Sequence, residues 1–146
     1  MWPWRRWIEP ILAAEAGDDA TACLAMVLHH YRRPATLAEV HAAIHAEGFD
    51  PRPSAQAIVH AAEHFGLHGR GIKADDVSKL ARLVPVVAHL VPGSFTVVVS
   101  VGRRSVELCD PYTRMFDMAR DRFERQASGA YIVFERAARL PVARVT

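Results

Sequence analysis

Leu12-Ala-Ala-Glu-Ala-Gly-Asp-Asp19-Ala-Thr-Ala-Cys23-Leu-Ala-Met-Val-Leu28 is the stretch from which the fold can be read. Asp18 or Asp19 supplies an oxygen that can accept from the free N–H groups opening a helix. The helix then runs from Ala20 to about Tyr31, and Cys23, Leu24, Met26 and Val27 fall on one apolar stripe at helical spacing. Such a stripe predicts a helix with its face in the core, stopped by Arg33-Pro34.

Two more helices follow. Thr36 caps one through Glu39 to Ala46, and Ser54 caps another that runs through Phe65 and stops at Gly66. From Leu67 the period changes. Strands are expected at Leu67–Lys73, Val84–His89, Phe95–Val101, Ser105–Cys109, Arg114–Asp117 and Tyr131–Glu135. Ala74–Leu83 reads as a short helix opening on two aspartates, Arg120–Gln126 as another helix, and Gly102-Arg-Arg104 as a hairpin turn. Helices first and an antiparallel meander after them give an α+β class, N-terminal helices packed on an antiparallel β-sheet. Residues 1–136 form one domain and 137–146, with Pro141 and weak periodicity, a C-terminal linker or tail.

The composition agrees with one soluble-type domain: 146 residues, 51% hydrophobic and 23% charged, are enough for a single core. The net charge of +2 comes from dispersed arginines, whereas a nucleic-acid binder gathers its basic residues with aromatics on one face, so no nucleic-acid partner is implied. Cys23 and Cys109 are too few for a disulfide scaffold and too far apart for a zinc knuckle, which fits cytosolic exposure. The apolar run from Val84 to Val101 is broken by Pro85, His89, Pro92, Gly93 and Ser94 and falls short of a bilayer span. Trp2, Trp4 and Trp7 beside Arg5-Arg6 form no secretory signal and are expected to cap the core edge.

The opening segment resembles that of the double-glycine leader peptidase family, papain-like cysteine peptidase domains of ABC exporters. The family pattern is Gln, five residues, an acid, then Cys, Gly, two small residues and often Cys-Leu-Ala-Met. The likeness continues in order through Ala61-Ala62 with Phe65-Gly66-Leu67, Pro85-Val-Val-Ala-His89, Phe95-Thr-Val-Val98, Leu108-Cys-Asp-Pro111 and Gly129-Ala-Tyr-Ile-Val-Phe134. It covers residues 8–136 and implies a papain-like fold.

Carried over position by position, the resemblance places the nucleophilic cysteine at Asp19, the oxyanion glutamine at Ala13, the base histidine at Ser94 and the orienting aspartate at Asp110. A thiolate at a helix start is activated by the dipole and a nearby imidazolium. Here a carboxylate stands in its place, and a serine hydroxyl does not titrate at neutral pH and cannot shuttle the proton. Ala13 has no oxyanion donor. No catalytic residues are therefore assigned, and Ala13, Asp19, Ser94 and Asp110 are read as degenerate positions. Asp19 is expected to accept a hydrogen bond from Ser94 or from amides at the helix start. Asp110, before a proline, is expected in a turn role. Cys23 matches a second, non-catalytic cysteine of the family. His89 lies an odd interval before residue 94, which in an unbroken strand puts the two on opposite faces.

Two helical histidine pairs, His41/His45 and His60/His64, raise a metal reading, and His60-Ala-Ala-Glu63-His64 matches an inverted zinc-peptidase pattern. Spacing alone is weak, the residues fall on an outward face without a pocket, and no third ligand is evident, so no metal and no cofactor are assigned. The resemblance implies a catalytically inactive domain at the inner face of the cell membrane. Its expected partners are a leader peptide or unfolded exported polypeptide and the transmembrane and ATP-binding parts of an ABC exporter. Haemolysin-type exporters, whose equivalent domain lacks the cysteine and serves recognition, are similar. The competing readings are a leader peptidase with displaced catalytic groups and a structural pseudo-domain without ligand.

Overall fold

The computed structural model describes residues 11, 19–46, 54–91, 93–112 and 114–136. Three helices lead: α1 (Asp19–His30), α2 (Leu37–His45) and α3 (Ala55–His64). Six strands and a fourth helix follow: β1 (Leu67–Lys73), β2 (Val86–Leu90), β3 (Ser94–Val101), β4 (Ser105–Asp110), β5 (Arg114–Ala119), α4 (Arg120–Gln126) and β6 (Ala127–Arg136). The class is α+β and papain-like, with the helices packed on a six-stranded antiparallel sheet.

The caps work as the sequence implies. Thr36 and Glu39 form a reciprocal capping box at α2, Ser54 Oγ accepts from the Ala57 N–H at α3, and Gly66 follows α3 at φ +83°. Between β1 and β2 the expected helix over Ala74–Leu83 is only a 3₁₀ turn, Val77–Leu80, started by Asp76 and held by the Glu124 carboxylate on the Val77 N–H. Exposed Asp75, Ser78 and Lys79 leave that segment just Val77 and Leu80 to bury, too little for a longer helix.

The sheet is not the simple meander expected. Its order is β1-β6-β2-β3-β4-β5, so the last strand is inserted between the first two. The ladder β1·β6 runs unbroken from Leu67↔Arg136 to Lys73↔Ala130, and β6 is longer than the Tyr131–Glu135 segment read from the sequence. The sheet is therefore buried on both faces. Met26, Leu24, Ile44, Ile58, Val87, Phe95, Val97 and Phe134 join the helix-side core. Val77, Leu80, Val86, Val98, Leu108, Phe123 and Val133 form a second core under α4 and the 3₁₀ turn. Two-sided burial explains the near-continuous apolar runs of β2 and β3, which do not alternate cleanly.

No helix among the described residues is long and apolar enough to cross a membrane. The Trp2, Trp4 and Trp7 expectation, Ala13 and the 137–146 tail lie outside the described residues.

Candidate functional site

Helix α1 begins against the start of β3. Asp19, its first residue, is only 6% exposed, and Oδ2 accepts the Phe95 backbone N–H at 2.6 Å. The donor is thus the amide one residue beyond Ser94. The helix start and the strand are joined through this bond. A carboxylate at the first turn also meets the positive end of the helix dipole.

Cys23, one turn further along α1, is fully buried, and desolvation pushes its thiol well above the usual range, with Asp19, Asp110 and Cys109 pushing the same way. Asp19 and Asp110 thus both lie close enough to act on one buried thiol. A raised thiol pKa opposes the thiolate that nucleophilic attack requires. Native protein is therefore expected to resist iodoacetamide at Cys23 up to mildly alkaline pH and to react once unfolded in denaturant; peptide mapping of the alkylated residue checks this. Because burial raises the Cys23 thiol above its unfolded value, its contribution to stability is full below that value and is lost as pH climbs above about 8.5.

Ser94 is half-buried and stands across from Leu90, while His89 pairs with Phe95 on the next rung. The pleat therefore sends His89 and residue 94 to opposite faces, as their odd spacing implied. Asp19 meets the backbone at the very start of the strand, where both faces begin. Asp110 closes β4, and its Oδ2 accepts the Tyr112 N–H at 3.0 Å, the local bond of an aspartate turn.

His89 contributes to a different feature. Its Nδ1 lies 2.8 Å from Ser128 Oγ and its ring centroid 5.3 Å from that of Phe95. His89, Phe95, Ile72, Val87, Tyr131 and Ile132 line an apolar cavity of about 250 Å³ next to the Asp19 contact. Neither is visible in the sequence: the cavity depends on β6 entering the sheet beside β2, and the Phe95 amide on α1 meeting the start of β3. The only advance signal was the ring of apolar residues in β2, β3 and β6.

The histidine pairs lie elsewhere. His60 and His64 are exposed, as expected, yet they line a groove of about 680 Å³ between α2 and α3, so the expectation of no pocket is corrected. The Ala42, Ala43 and Ala46 side chains are too short to fill the space between these helices. Glu63 is turned to His68 Nδ1 at 2.8 Å, and His41 stacks on His45 with centroids 4.3 Å apart. Among the described residues no group of three or more His, Cys, Asp or Glu is placed to hold a metal ion.

The fold has parallels among solved structures. The most similar solved structures include a double glycine motif protease from an AMS/PCAT transporter in complex with the leader peptide. It is 24% identical, with a TM-score of 0.82 over 91% of this chain and 94% of that one. The peptidase domain of Streptococcus ComA, a bifunctional ABC transporter of a quorum-sensing pathway, is 23% identical, with a TM-score of 0.77 over 89% and 99%. The N-terminal peptidase C39-like domain of a toxin secretion ATP-binding protein from Vibrio parahaemolyticus is 18% identical, with a TM-score of 0.69 over 82% and 97%. At these identities the likeness is one of fold. No curated protein matches the chain. The model of the Peptidase C39 family, however, matches residues 8–139, nearly the whole sequence, and the chain belongs to that family.

Proposed function

We propose that this domain binds a leader peptide or an unfolded exported polypeptide for an ABC-type exporter and does not cleave it. The observation that carries the reading is Asp19: at the nucleophile position stands a buried carboxylate already committed to the Phe95 N–H. A carboxylate is a poor nucleophile toward an amide, and Ser94 offers no base to assist it. Asp110, the one retained position of the four, is occupied in its own turn. With the chemistry removed, the adjacent apolar cavity is the feature suited to holding part of an extended peptide, since binding sites are concave, mostly apolar and edged by few polar groups. In this reading residues 1–136 are the binding domain, 137–146 lead away from it, and the domain works on the cytoplasmic side beside the exporter's membrane and ATP-binding parts.

The test is fluorescence anisotropy with a labelled double-glycine leader, followed by mass spectrometry of the same mixture after long incubation. Saturable binding with an intact peptide is expected. Cleavage blocked by alkylation would restore the peptidase reading, and absence of binding at high protein concentration would favour a structural pseudo-domain.

A further inference from the structure

We infer that Gly71 sets the size selectivity of the peptide site: the side chain it lacks leaves room for one large apolar side chain of the bound peptide, of leucine or phenylalanine size. This rests on the peptide-binding reading above.

The strand register places Gly71 at the end of one row across the sheet: Cys109, Val97, Val87, Ile132 and Gly71, each paired with the next. The first four belong to the core on the helix side, and residues paired across a ladder present their side chains on the same face. Gly71 is the one member of the row with no side chain to add, and it is exposed. With Ala55, the first residue of α3, it lines the apolar cavity that holds the His89 and Phe95 rings. A dry apolar cavity of about 150 Å³ already takes a benzene. The cavity here, about 250 Å³, admits a large apolar side chain.

A glycine inside a strand weakens it, so its presence has a cause: a left-handed backbone, a neighbour too close for a Cβ, or a ligand that approaches there. Gly69 and Gly71, two residues apart on the same face of β1, separate these causes. Neither has a left-handed φ. A Cβ at Gly69 would lie 3.2 Å from two ring carbons of Phe134, so packing excludes a side chain at that position. At Gly71 a Cβ would meet, among the described residues, only the Tyr131 carbonyl oxygen at 3.9 Å, an ordinary contact. Neither the backbone nor a neighbour requires glycine at 71. The space that a side chain there would occupy is the cavity itself, which leaves the ligand as the cause.

The test extends the anisotropy assay to a set of labelled leaders in which each Leu, Ile, Val, Met or Phe is replaced singly by alanine. The set is titrated against the full chain and against Gly71→Ala and Gly71→Val. In the wild type one replacement should weaken binding by about 10- to 30-fold, the scale of burying such a side chain. Gly71→Val should bind the parent leader about that weakly and be indifferent to the same replacement, because both changes remove one shared contact. Gly71→Ala, which fills less of the cavity, should fall between the two. Both variants should also melt about 2 °C higher than the wild type, whereas Gly69→Ala should melt lower because the Phe134 ring must shift. Four results would overturn the inference while wild-type peptide binding stands: no replacement that stands out, wild-type affinity in Gly71→Val, an equal loss for every peptide of the set, or a lower Tm in Gly71→Ala. If the wild type binds no peptide, the underlying reading falls and this inference with it.

Discussion

Replacing Asp19 with alanine is expected to destabilise the domain by about 2 kcal/mol, seen as a fall of roughly 1 M in the urea midpoint. Two losses contribute. The Phe95 N–H loses a short carboxylate partner between two residues each only 6% exposed, and an unpaired buried donor costs about 1–3 kcal/mol. The first turn of α1 also loses a favourable charge, worth about 0.3–1 kcal/mol. Relief from burying a carboxylate works in the opposite direction and keeps the total below the sum. Asp19→Asn retains an acceptor of the same shape and should cost less than half as much. An alanine variant as stable as the parent would mean that desolvation cancels the bond, and Asp19 would then be no tether between α1 and β3.

The second large effect concerns chemistry. Asp19→Cys restores the family's nucleophile type but should leave a double-glycine leader uncut. On the reading proposed above, an absent base would account for about 10²–10⁴ in rate and an absent oxyanion donor for about 10²–10³. Such deletions do not simply multiply, because the groups act as a unit. Cleavage is expected to emerge only when Ser94→His and Ala13→Gln accompany the cysteine, and to vanish on alkylation. If the single Asp19→Cys variant cuts the leader, another group is acting as base, with His89 beside its cavity the first candidate. If the triple variant binds peptide yet stays silent, the defect lies in backbone placement and not in the absent side chains.

Much of this was readable in advance because it is local. Thr36 with Glu39, Ser54, and Gly66 after Phe65 mark helix ends by bonds between near neighbours, and the elements begin and end within a residue or so of those marks. The retained turn at Asp110 is likewise a two-residue affair. Non-local facts were hidden. Tyr131–Glu135 reads as a strand from its β-branched and aromatic residues, but nothing in those residues says that they pair with both β1 and β2. Asp19 bonds across a separation of 76 residues, and the amide that donates to it carries no sequence signal because every residue but proline has one. The 3₁₀ turn reads as a helix in the sequence because its two aspartates mimic a helix start, while only Val77 and Leu80 are there to bury.

The placement of β6 has a consequence for how the chain comes off the ribosome. Until residues 127–136 are synthesised, β1 has no sheet partner and the meander β2–β5 lacks the strand that joins it to β1. Completion of the sheet waits for these residues, and in the interval β1 and one edge of the apolar β2 are open to aggregation or to a chaperone. Truncation ahead of Ala127, which removes the whole of β6, should therefore leave β1 without a sheet partner and not give a slightly shortened domain.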